Sequence, residues 1–111
     1  MTGNERRRYS RHETEIAVTI LKDNDAIAAI MTDISEGGIG IISERGIYPG
    51  TEVTIKINNI ADYSIQGTVK WVYLLNKEDT ISYRIGIEAD RILVTENILG
   101  AGWPGRSGQI K

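Results

Sequence analysis

Asp33-Ile34-Ser35-Glu36-Gly37-Gly38 separates two apolar runs, Ala26–Thr32 and Ile39–Ile42. A Gly-Gly pair between runs of strand-forming residues reads as a hairpin turn, because glycine takes positive φ without steric cost. Asp33 and Ser35 stand two positions apart, so on an extended backbone their side chains leave the same face. The stretch thus presents a carboxylate and a hydroxyl side by side, next to glycine amides that no Cβ shields. The plain alternative is a solvated turn in which Asp33 and Ser35 hydrogen-bond their own backbone.

Outward from this turn the pattern is one of short strands. Thr14–Leu21 alternates, with Ile16, Val18 and Ile20 on one face, and Lys22–Asp25 is a turn. Ala26–Thr32 and Ile39–Ser43 flank the central stretch. Pro49-Gly50 breaks the chain, and Thr51–Ile57 resumes it with Val53, Ile55 and Ile57 on one side. In Tyr63–Leu74, Ile65, Gly67, Val69 and Trp71 share a face, which assigns Trp71 to the core; Gly67 marks a bulge or bend. Asn76–Thr80 is a turn and Ser82–Ala89 the last strand. Six short strands joined by turns predict an all-β barrel or sandwich, and barrel closure would remove exposed edges. Asp90–Leu99 is predicted as a helix, with Asp90 as N-cap and Gly100 as its stop. Ala101–Lys111 reads as a flexible tail carrying Trp103.

Composition bounds the function. The chain has 111 residues, enough for one domain, with 41% apolar and 25% charged residues, as in an ordinary globular protein. Phe is absent, and the apolar content is rich in Ile and Val, which favour strands. No apolar run approaches a membrane span or a signal peptide, so the expected location is the cytoplasm, without membrane insertion. Zero cysteines excludes disulfides and thiolate zinc sites. His12 is the single histidine and no nucleophile–base pair stands out, so no enzyme, no metal site and no cofactor is expected. Net charge is −2, unevenly spread: residues 1–12 hold four Arg and one Glu (+3), and the remainder nine Lys plus Arg against fourteen Asp plus Glu (−5).

That basic arm, Glu5-Arg6-Arg7-Arg8-Tyr9-Ser10-Arg11-His12, is either a solvated tail or a guanidinium cluster. Arginine pairs bidentately with phosphate and stacks on flat rings, and Arg7-x-x-x-Arg11 brings two such forks within reach of one small ligand.

Arg7-Arg8-Tyr9-Ser10-Arg11 followed by Asp33-Ile34-Ser35-Glu36-Gly37-Gly38 resembles the paired signature of the PilZ family, and Tyr83-Arg84-Ile85-Gly86-Ile87 is similar to its final strand. The resemblance spans about Glu5 to Leu99. It implies a six-stranded antiparallel β-barrel with a short C-terminal helix, in a bacterial receptor for the second messenger cyclic di-GMP. On that reading residues 1–12 are a flexible binding arm, 13–99 the barrel and helix, and 100–111 a tail. The resemblance further implies that Arg7 and Arg11 clamp the nucleotide and that Asp33 accepts from a guanine. Ser35 would bond phosphate and Gly38 would keep the turn open, with Gly37, Arg6 and Arg8 as further ligand contacts. The bound state would reach an unidentified downstream protein through ordering of the arm.

The alternative is a PilZ-like adaptor that works by protein contact without the nucleotide. A nucleic-acid-binding barrel is disfavoured by the acidic body and the lack of a surface aromatic ladder.

Overall fold

The structure, a computed structural model, describes residues 11–102. They form β1 (His12–Lys22), β2 (Asp25–Ser35), β3 (Gly38–Ser43), β4 (Glu52–Ile57), β5 (Ser64–Lys77), β6 (Thr80–Ala89) and the helix α1 (Thr95–Gly102). All strand pairs are antiparallel, and the order β1-β2-β3-β6-β5-β4 closes through β4–β1 contacts such as Ile20↔Ile55. The six expected strands are therefore present and the barrel closes. The strands run longer than the alternation alone suggested, because ladder pairing extends past the last alternating residue: β1 begins at His12 opposite Ile34, and β5 continues to Lys77 opposite Thr80.

The interior is built largely from isoleucine. Ile16, Ile20, Ile34, Ile39, Ile41, Ile55, Ile57 and Ile85 are fully buried, joined by Val18, Val69 and Met31. β-Branched side chains suit this role because their restricted χ1 matches the pleat and fills a narrow barrel without aromatic rings.

The β1–β2 ladder shifts register between Glu13 and Ile16, and two further bulges set which site residues face outward. One falls between Met31 and Asp33 in β2, the other between Val69 and Trp71 in β5. A bulge adds one residue to one strand, so the inside–outside alternation reverses beyond it. In β5 the irregularity sits at Lys70 rather than at Gly67, and it turns Trp71 out of the core. Val72 takes the inward place opposite Ile85. The expectation of a core Trp71 is corrected accordingly.

The helix also differs from the expected Asp90–Leu99. The segment before it is tied to the barrel: Ala89 N–H donates to Gly37 C=O (2.9 Å), Asp90 N–H to Gln66 C=O (2.8 Å) and Leu93 N–H to Glu36 C=O (2.9 Å). Residues 89–93 thus run along the barrel, and α1 starts at Thr95, with Glu96 favourably placed in its first turn. Gly100 falls inside the helix instead of ending it. Leu93 and Ile98 complete the core from this segment, Ile98 with no exposed surface. Ile98→Ala should cost about 2–5 kcal/mol, as for other large-to-small core changes. Urea unfolding would show this as a lower midpoint at unchanged slope.

Candidate functional site

The β2–β3 connection is tighter than the Asp33–Gly38 turn expected. Ser35 pairs with Gly38, leaving Glu36 and Gly37 as the two-residue loop. Asp33 and Ser35 consequently belong to the end of β2, where the ladder fixes their direction. Both face away from Ile34, which is fully buried. The shared face anticipated for the pair is kept.

Register then assembles a site across four strands. Asp33 of β2 lies opposite Gly40 of β3, Gly40 opposite Gly86 of β6, and Gly86 opposite Trp71 of β5. The two glycines form a floor between a carboxylate and an indole. Each is there because a neighbour occupies the space a side chain would need. A Cβ on Gly40 would overlap Asp33 Oδ1, and a Cβ on Gly86 would overlap the Trp71 ring. Gly38 is tied to the barrel wall in the same way, since a Cβ there would overlap the Ile87 carbonyl.

Asp33 is the electrostatic centre. Its Oδ2 lies 3.5 Å from Arg11 Nη1 and 3.8 Å from Arg84 Nη2, and the side chain is only 15% exposed. Its Oδ1 is buried and has no hydrogen-bond partner among the described residues. A buried acceptor without a partner carries a desolvation cost, and such atoms are rare in native folds. Arg11 precedes β1 directly. Because His12 pairs with Ile34, the strand sets Arg11 down beside Ser35, and its guanidinium reaches back to Asp33.

Ser35 is buried, and its Oγ accepts from Gly37 N–H (3.2 Å) and sits 3.5 Å from Gly38 C=O. The turn's own backbone thus engages the hydroxyl, as the plain reading of the stretch anticipated. A surface cavity of about 310 Å³ lies over this region, bounded by Arg11, Ser35, Gly37, Lys70, Trp71 and Gly86. Lys70 at its edge pairs with Glu88 at 3.3 Å. Trp71 is backed by Tyr73, the ring centroids 5.1 Å apart and the planes 28° from parallel.

Arg11, Asp33, Ser35, Gly37 and Gly38 are thus brought together. Arg6, Arg7 and Arg8 lie outside the described residues, as does Trp103. Arg84, Gly40, Gly86 and Trp71 were not named as site residues from sequence. Arg84 and Gly86 alternate with the inward Ile85 and Ile87, so their outward direction was readable, but their neighbours were not. Among the described residues no cluster of three or more His, Cys, Asp or Glu could hold a metal ion, and no helix is long and apolar enough to cross a membrane.

The arrangement suits a flat, polyanionic ligand. It offers a carboxylate oxygen with no hydrogen-bond partner among the described residues, guanidinium groups for phosphate and an indole face for stacking.

Comparison with known proteins bears on the family and the fold. The model of the PilZ domain family matches residues 5–99. No curated protein matches the sequence. Among solved structures, the PilZ domain of YcgR from Escherichia coli with c-di-GMP superposes with a TM-score of 0.64 at 16% identity, over 96% of this chain and 98% of that one. The Bacillus subtilis inhibitor of motility MotI/DgrA gives 0.62 at 18% identity, over 94% of this chain and 52% of its own. The K. pneumonia MrkH–c-di-GMP complex gives 0.62 at 13% identity, over 95% and 55%. The chain therefore spans about half the length of MotI and of MrkH. At these identities the structures establish a shared fold.

Proposed function

Because the chain belongs to the PilZ domain family, we propose that it is a receptor for cyclic di-GMP, a binding protein and not an enzyme. The observation that carries the reading is the Asp33 carboxylate, held between Arg11 and Arg84 with one buried oxygen lacking a partner among the described residues. A guanine edge supplies the missing donors, its N1–H and exocyclic amine. Arg11 and Arg7 clamp phosphate and base, with Arg6 and Arg8 as further contacts. The Ser35 hydroxyl and the Gly37 and Gly38 backbone meet phosphate, and Trp71 stacks on a purine. Arg84 helps to orient the carboxylate. YcgR and MrkH, which share the fold, were each solved with this nucleotide.

Magnitudes agree with a physiological receptor. Four or five charge-assisted hydrogen bonds contribute roughly 1.5–3 kcal/mol each. Ordering the arm costs on the order of 2–5 kcal/mol. The balance brackets the roughly −8 kcal/mol of micromolar binding. Output passes to a downstream protein that reads the arm in its bound arrangement. Amide exchange within residues 6–11 should slow when ligand is added, and unchanged exchange would refute the arm-ordering step.

Calorimetric titration with cyclic di-GMP tests the reading, with Arg7→Ala beside the wild type and GTP as control. Saturable heat that the substitution abolishes supports a receptor. A folded protein giving no heat at ligand concentrations on the order of hundreds of micromolar, weaker than about −5 kcal/mol, would leave the adaptor reading in its place. Fluorescence in a Trp103→Phe background isolates Trp71. Ligand should quench it, and Trp71→Ala should weaken binding about 5–100-fold, the equivalent of about 1–3 kcal/mol for one base–aromatic stack. Unquenched emission at saturation would remove Trp71 from the site.

A further inference from the structure

The β5–β6 hairpin outruns the barrel. β4 pairs with β5 only from Ser64 to Thr68, whereas β6 follows β5 to Lys77↔Thr80. Val69 still exchanges hydrogen bonds with Gly50 and Thr51, but beyond it this edge of β5 has no backbone partner among the described residues. Glu78 and Asp79 both take positive φ (48° and 68°), the signature of a type I′ two-residue turn. In such a turn the flanking pair, Lys77 and Thr80, exchanges hydrogen bonds. Alternation along the ladder then directs the N–H and C=O of Val72, Leu74 and Asn76 to the open edge.

The edge's own sequence does not protect it. Val72-Tyr73-Leu74-Leu75-Asn76 contains no charge and no proline, the devices by which natural sheets blunt an edge. Apolar surface lies beside it: Leu74 is 60% exposed, Ile81 53% and Tyr48 84%. Tyr48, Val72 and Tyr83 border a concavity of about 330 Å³ at the base of the hairpin. An apolar patch flanking open strand amides fits another strand.

We propose that the occupant is a second copy of this chain, joined by antiparallel β5–β5 pairing about a two-fold axis at Leu74. The segment is complementary to itself in that register. Leu74 meets the partner's Leu74, Tyr73 the partner's Leu75, and Val72 the partner's Asn76, so apolar groups cover one another near the axis. This axis pairs all three residues whose backbone groups face the open edge, Leu74 with itself and Val72 with Asn76. Moving it to Tyr73 leaves Asn76 opposite the bulge at Lys70, and moving it to Leu75 leaves Val72 opposite the turn at Glu78.

One consequence reaches the ligand site. The same register lays the partner's Lys77 against Trp71, whose ring borders the site cavity, so pairing adds a cation at its rim. The interface itself rests on the strand edge and stands whether or not the site binds a nucleotide.

Cysteine cross-linking tests it directly, because the chain has no cysteine of its own. Facing residues of a hydrogen-bonded antiparallel pair lie about 5.5 Å apart between Cα atoms, within the range that a disulfide spans. Leu74→Cys should oxidise to a covalent dimer in high yield, while Leu21→Cys, also surface-exposed but on β1, should stay monomeric. In sedimentation velocity the wild type should move from monomer toward dimer as concentration rises from micromolar toward millimolar. Leu74→Lys, which sets two like charges at the axis, should remain monomeric with an unchanged circular dichroism spectrum. A wild type that stays monomeric throughout, equal cross-linking at positions 74 and 21, or a dimer that survives Leu74→Lys would each overturn the proposal.

Discussion

Asp33→Ala is expected to lower cyclic di-GMP affinity by about 10²–10⁴-fold while leaving the fold as stable as before, or more so. The size follows from two charge-assisted hydrogen bonds to a guanine edge, roughly 3–6 kcal/mol together. The stability half follows from the unliganded geometry. Asp33 Oδ1 is buried without a partner among the described residues, and its Oδ2 faces Arg11 and Arg84 at 3.5 and 3.8 Å, longer than a good hydrogen bond. Removing the carboxylate relieves a desolvation cost and forfeits two partly exposed ion pairs, which are weak individually. Calorimetry and thermal melting on the same sample separate the effects. A variant that binds normally would remove Asp33 from the site, and one that melts far below wild type would make Asp33 a structural residue.

The second large effect is expected at a residue with no polar group. Gly40→Ala should weaken binding by about 10–100-fold, the equivalent of about 1.4–2.8 kcal/mol. The added methyl occupies the position of Asp33 Oδ1. The carboxylate must swing away, because the Gly40 backbone is held on both sides by Asp33 of β2 and Gly86 of β6. The double variant Asp33→Ala, Gly40→Ala should bind no more weakly than Asp33→Ala alone, since the methyl acts through the carboxylate. Additive losses would mean that Gly40 contributes by another route, such as direct approach of the ligand to its backbone.

These two residues mark how much of the site was legible in sequence. Asp33, Ser35, Gly37, Gly38 and Arg11 sit in two short motifs, which the resemblance to the PilZ family joined into one site. Gly40, Gly86, Arg84 and Trp71 are distributed over three strands and meet only because Gly40 faces Asp33 on one side and Gly86 on the other. Register of that kind is set by the closure of the whole barrel, and no local pattern encodes it. Trp71 shows the same limit within one strand. Its spacing from Ile65 and Val69 assigns it to the core, and a single extra residue at Lys70 reverses the assignment.

The fold was more readable than its edges. Ile16, Val18 and Ile20, or Val53, Ile55 and Ile57, alternate because one face of each strand is buried, and the structure buries those residues. The start of α1 was not readable, because it depends on amides of residues 89–93 finding carbonyls at Gly37, Gln66 and Glu36. Helix propensity is a weak influence beside such long-range hydrogen bonds.

Those long-range bonds make the two-residue loop at Glu36 and Gly37 a shared support. Its outer side borders the ligand cavity, and its carbonyls hold Ala89 and Leu93, the lead-in to α1. Deuterium uptake at just two amides therefore reads the condition of the loop from a distance. If nucleotide tightens it, Ala89 and Leu93 exchange more slowly. If nucleotide pries it open, they exchange faster and the lead-in to the helix loosens with them.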